Sequence, residues 1–134
     1  MTAELTTHTP RVEHAPLFLR ISIALQTGTI FLQAVSAGWL LTSAHGETVH
    51  SVGARVMYGA SMLYLLAAIL AWKAGGGSHR PVWHATGFLL LASAQVVLGI
   101  AHIPSIHLPL GVLMFGLSLL ALARREPDRA GPAT

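Results

Sequence analysis

The chain contains no cysteine, and only 10% of its 134 residues are charged. The first absence excludes disulfides, thiolate metal ligands and cysteine nucleophiles, so any metal chemistry falls to the eight histidines. The second excludes an ordinary water-facing surface, which draws on roughly 25% Asp, Glu, Lys and Arg. Acidic residues are scarcest: five stand against eight Lys and Arg, for a formal charge of +3. Those basic residues are scattered among apolar runs and form no phosphate-tracking stripe, which argues against nucleic acid. What is abundant is hydrophobic, 53% of the chain. A helix rising about 1.5 Å per residue needs roughly 20 residues to cross the hydrocarbon core, so four crossings take about 80 and leave only tails and turns. This length admits one small membrane bundle and no soluble catalytic domain.

No Asp, Glu, Lys or Arg falls between Arg20 and Glu47, and Ile21 to Leu41 reads as a first span within a helix over 17–42. A polar tail, 1–16, precedes it. This tail lacks the basic start and small-residue cleavage site of a signal peptide, so the first helix is expected to be retained. The next uncharged run, Val56 to Trp72, covers only about 25 Å, and the second helix must therefore start earlier, giving 50–73. Lys73-Ala-Gly-Gly-Gly-Ser-His-Arg-Pro81 reads as a turn, with Pro81 suited to the first turn of the next helix. From Pro81 to Ala123 the uncharged chain would measure about 64 Å as a single helix, twice the membrane core. It must fold back, and Pro104 within His102-Ile-Pro-Ser-Ile-His107 marks the break. Helices over 82–102 and 106–124 follow, then a polar tail, 125–134. Trp39, Trp72 and Trp83 fall at span ends, as an aromatic belt requires.

Arg11, Arg20, Lys73, Arg80, Arg124, Arg125 and Arg129 all flank one side of this arrangement, whereas the connections Thr42 to Val49 and Ile103 to Ser105 carry no Lys or Arg. The positive-inside rule then places both termini and the glycine-rich turn in the cytoplasm, in an all-α, up-down-up-down four-helix bundle of the plasma membrane.

Sorted by this topology, His8 and His14 lie in the tail, His79 and His84 at the cytoplasmic end, and His45, His50, His102 and His107 at the outer end. His50 opens the second helix and His107 the fourth. These two helices run in the same direction and sit diagonally, so their imidazoles can meet across the bundle axis. Gly53 and Ala54 share a face with His50, and Gly111 shares one with His107. The spacing supports two readings equally. Small residues beside each ring leave a slot for a flat macrocycle such as haem, held by one imidazole from each side, whereas a bare ion needs more ligands. Alternatively, the glycines allow close helix packing and the histidines are polar caps at the interface.

Glu47-Thr-Val-His50, Gln95-Val-Val-Leu-Gly99 and His107-Leu-Pro-Leu-Gly-Val-Leu-Met-Phe115 together resemble one half of the haem A synthase family. The resemblance covers all four helices through short motifs. It implies that His50 and His107 are axial ligands of a haem near the outer face and that Glu47 is the family's catalytic carboxylate. One half is present instead of two, and the outer cysteine pair of many members is missing. The resemblance therefore supports haem binding, b-type, for electron transfer or haem handling, more strongly than haem oxidation. Two alternatives remain: a haem-modifying oxidase acting as a homodimer, and a haem-free accessory subunit of a membrane respiratory complex. Arg55 is a candidate partner for a haem propionate or for Glu47, although it sits about 140° around the helix from His50 and can equally snorkel to the interface. Gln26, Gln33 and Gln95 read as hydrogen-bonding glue between helices. Gly28, Gly38, Gly59 and Gly87 offer surface for a homodimer or larger complex.

A topology reporter fused after Thr134 is expected to read as cytoplasmic. A periplasmic or extracellular readout would invert the bundle and with it the outer placement of His50 and His107.

Overall fold

The computed structural model describes residues 14–76 and 78–124. Among these it contains four helices and no strand: α1 (His14–Leu40), α2 (Gly46–Gly75), α3 (Arg80–Ile100) and α4 (Pro104–Ala123). Each is long and apolar enough to cross a bilayer, which makes the chain a multi-pass membrane protein. The tails expected at 1–16 and 125–134 fall almost wholly outside the described residues, and His8 with them; His14 instead heads α1.

The helix ends differ from the sequence expectations for local reasons. α2 starts at Gly46, so Glu47 lies in its first turn and His50 sits a turn inside the helix, not at its opening. α4 includes Pro104 at its start, where the missing N–H was free of any helical partner. The α3–α4 turn is closed by His102, which takes φ 53°. In this left-handed turn the backbone N–H of Ile103 reaches back to the Leu98 carbonyl at 3.0 Å, a Schellman-type stop. Non-glycine residues seldom adopt this conformation, and histidine is among those enriched there. The ring Nδ1 of His102 supports it, donating to the Ile100 carbonyl at 2.9 Å.

Helix contacts run α1–α2, α2–α3, α3–α4 and α4–α1; neither α1 and α3 nor α2 and α4 bring Cα atoms within 8 Å of one another. The four therefore form a ring in chain order, with α2 and α4 on one diagonal. Their inward faces read alike. Laying α4 on α2 with His107 over His50 sets Gly111 on Ala54, Met114 on Met57 and Ser118 on Ser61. The other diagonal repeats too: Ile23, Gln26, Ile30 and Gln33 of α1 match Ala85, Phe88, Ala92 and Gln95 of α3. Apart from the partly buried Gln33, each of those eight side chains is buried. The sequences of the two helical hairpins, α1–α2 and α3–α4, thus correspond position by position along their inward faces.

The interior is built from small and polar side chains. Ser22, Ser61, Ala67, Ala85 and Ala92 are completely buried, while Ile100 is 75% and Val112 74% exposed. Lipid tails solvate leucine as well as protein does, so small residues go where helix backbones must approach and large ones face outward. The buried hydroxyls bond back to their own helices, Ser22 to the Leu19 carbonyl, Thr27 to Ile23 and Ser61 to Met57.

Gly46 is the tightest point of the α1–α2 hairpin, for a Cβ there would lie 2.5 Å from Leu40 Cα and 2.7 Å from the Trp39 carbonyl oxygen. Both are backbone atoms and cannot step aside as a side chain can. Gly46→Ala is expected to destabilise the bundle by about 1–3 kcal/mol, measured by unfolding in mixed detergent micelles. Gly28→Ala, with nothing within 4 Å of its new methyl group, is expected to be neutral or stabilising by up to about 1 kcal/mol.

Candidate functional site

His50 and His107 are the two partly buried histidines among the described residues whose side-chain placement is given; His45, His79, His84 and His102 are exposed. Their ring centres lie 6.2 Å apart with the planes inclined at 69°. The two imidazoles thus span the diagonal between helices whose backbones do not approach.

Each ring is held through the same atom. The Nδ1 of His107 lies 3.1 Å from the backbone carbonyl oxygen of Gln95 on α3. A carbonyl only accepts, so this nitrogen carries the proton. The Nδ1 of His50 lies 2.9 Å from Ser36 Oγ on α1. That hydroxyl donates to Gln33, whose carbonyl oxygen and Oε1 stand 3.0 and 2.9 Å away, and its oxygen is left to accept from His50. The network therefore assigns both rings the Nδ1–H tautomer, leaving each Nε2 with a lone pair. Gln33 adds a third tie by donating from Nε2 to the His50 carbonyl at 3.2 Å.

The small residues beside the rings have a different setting from the open slot expected. A Cβ on Gly53 would meet Gln33 Oε1 at 3.1 Å, and one on Gly111 would meet Gln95 Nε2 at 2.9 Å. Glutamine side chains from α1 and α3 lie over these positions, so the space the glycines leave is occupied by flexible amides. Gln95 Oε1 is buried there without a hydrogen-bond partner, as are both amide atoms of Gln26 further along α1. Such orphans are uncommon in folded interiors. Ala54 is partly buried on the face of His50, one turn further into the membrane.

Other residues singled out from the sequence are not gathered to this pair. Glu47 and Arg55 are both exposed on α2. Gly28, Gly38 and Gly59 have nothing within 4 Å of a hypothetical Cβ and are exposed, so they face away from the bundle; Gly87 is equally uncrowded but partly buried. Ser36 was not among the expected site residues, although it lies three positions after Gln33 on the same face of α1. The Gln95 carbonyl had no signal in the sequence, since every residue carries one.

Two imidazoles on opposite sides of one metal, with metal–nitrogen bonds of about 2.0–2.1 Å, carry ring centres about 6.3 Å apart. The observed 6.2 Å fits this separation. Among the described residues there is no group of three or more His, Cys, Asp or Glu able to hold a metal ion. Two nitrogens alone suit a metal that brings its other donors with it, as a porphyrin iron does, and fall short of the four that a bare zinc ion takes. Comparison of the chain with models of known families, with curated proteins and with solved structures finds no match. The chemistry of the site is accordingly argued from its own geometry.

Long-range nitrogen–proton NMR correlations, recorded above the imidazole titration range, are expected to show the Nδ1–H form for His50 and His107. The Nε2–H form at either residue would contradict the assigned network.

Proposed function

We propose that the protein is a membrane b-type haem protein that holds one haem between His50 and His107, for electron transfer or haem handling. The observation that carries this reading is the pair of imidazoles, 6.2 Å between centres, each anchored through Nδ1 so that Nε2 is available. Ligating histidines characteristically donate their other N–H to a carbonyl or similar acceptor, which fixes tautomer and ring direction and raises the basicity of the binding nitrogen. Haem held in this way supplies a one-electron couple tuned by axial ligands and burial.

In this reading the remaining side chains position and make room. Ser36 and the Gln95 carbonyl aim the two rings. Gly53, Ala54 and Gly111 keep the flanks free of bulk, and the Gln33 and Gln95 amides, which now cover those flanks, swing aside for the macrocycle. The orphaned Gln95 Oε1 gains freedom to find a partner once displaced. Arg55, exposed on α2 and not gathered to the histidine pair, would meet a propionate by snorkelling toward the interface. Glu47, exposed on the first turn of α2, has no part in ligation. Both termini lie in the cytoplasm and the haem near the outer face of the plasma membrane, following the distribution of Lys and Arg. α4, with the smallest buried share of the four helices, is left to contact a second copy or another subunit of a membrane complex.

Reduced-minus-oxidised spectra and haem-to-protein ratios of single alanine variants test the proposal. His50→Ala and His107→Ala are each expected to abolish the low-spin signal, leaving haem weakly retained or high-spin. His45→Ala, His84→Ala and His102→Ala are expected to keep it. Ser36→Ala removes the acceptor of His50 together with the hydroxyl's own bond to Gln33, and is expected to weaken haem binding about 10–100-fold. A protein without visible bands from haem-replete cells, or a low-spin signal that survives loss of both His50 and His107, would refute the assignment.

A further inference from the structure

A second site lies at the opposite end of the bundle, where both termini emerge. Between α3 and α4 there is a cleft of about 560 Å³. Arg80, His84 and Arg124 stand at its rim, and Phe88, Leu91 and Leu117 form its apolar wall. The three polar residues are exposed. Along α3 the order Arg80, His84, Phe88, Leu91 runs from the helix end into the span, so the cleft is charged at its mouth and apolar with depth.

Among the described residues no carboxylate lies at this end: Glu47, the one acidic residue there, belongs to the other end of α2. Arg20, at the start of α1, and Lys73, at the close of α2, add to the same cationic end. Arg80 also stands in the first turn of α3, where the helix dipole is positive. A free anion would use the mouth and leave the apolar wall bare. A zwitterionic lipid would offer its phosphate but bring its own ammonium beside the two guanidinium groups, which an anionic headgroup does not.

We propose that this cleft is a binding site for an anionic phospholipid of the adjoining leaflet, its phosphate held by Arg80 and Arg124 and one acyl chain laid along Phe88, Leu91 and Leu117. Guanidinium is the cation that takes phosphate by paired hydrogen bonds, and basic pockets between membrane helices are where such headgroups are retained. The proposal does not depend on the haem reading, since none of its residues touches the histidine pair.

Trp83, 70% exposed and lining the same cleft, is a built-in reporter. In a Trp39→Phe/Trp72→Phe background of the full chain, Trp83 fluorescence is read in phosphatidylcholine vesicles containing a minor fraction of chain-brominated phosphatidylglycerol. The same fraction of chain-brominated phosphatidylcholine serves as the comparison. The anionic lipid is expected to be favoured by a factor of order ten, and Arg80→Gln/Arg124→Gln to abolish the preference. Native mass spectrometry of the unsubstituted chain, comparing retention of the same two lipids, gives the measurement without the tryptophan changes. Equal quenching and equal retention of both lipids would overturn the site. So would a preference unchanged in the double arginine variant, which would assign it to the general positive charge of this end. Competition by soluble glycerol phosphate at comparable concentration would reduce the site to an anion pocket and remove the lipid from it.

Discussion

Lipid gives helices nothing for hiding leucine, and this constraint shapes every layer of the bundle. Helices that cannot be driven together by water must be brought together by close fit and by polar groups that find one another. The completely buried alanines and serines supply the fit, and their hydroxyls, already bonded to their own backbones, bring little specificity. Specific ties between helices are therefore few. Three converge on one layer: Ser36 to His50, Gln33 to the His50 carbonyl, and the Gln95 carbonyl to His107. A pair of half-buried imidazoles thus serves as the meeting point of all four helices.

The same concentration of polar groups separates the two ends in character. At one end the bundle offers a pair of imidazoles near its axis, and at the other it offers guanidinium groups at a cleft on its side. Arg55 is the single described cation away from the second group, and it is exposed, not paired within the core. Sorting charge in this way leaves the intervening membrane depth to Met57, Met114, Ile30 and Ala92, all buried and uncharged. Gln26 breaks the pattern. Its amide is buried to 1% exposure with neither atom bonded within the chain, where an unpaired group costs of order 1–3 kcal/mol.

Four spans and their turns were legible because charge is expensive in lipid: the gaps between Arg20, Glu47, Arg55, Lys73 and Arg80 mark where helices can cross. Pro104 was readable as a break for the equally simple reason that its ring disfavours helix in the residue before it. The start of α2 was not readable. It depends on Gly46 having no Cβ, which would come within 2.5 Å of the Leu40 backbone, and that is a property of the hairpin and not of the local sequence. At the candidate site, same-face spacing singled out His50, His107 and their small neighbours, yet the groups that orient the rings escaped it. Ser36 stood among several serines of similar look, and a backbone carbonyl has no letter of its own. The repeat between α2 and α4 was equally hidden, for most of what surrounds His50, Met57 and Ser61 in one copy is replaced in the other.

That duplication bears on how the molecule assembles. Each hairpin has its own closure, Gly46 in the first and the left-handed turn at His102 in the second. Once they meet, α2 and α4 still have no backbone contact across the diagonal. A ligand gripped from both sides would tie the pair of helices that the chain leaves apart, and its binding energy would add to the association of the hairpins. The amount of assembled protein in a cell would then track ligand supply, with unliganded hairpins left to quality control instead of accumulating as an empty bundle.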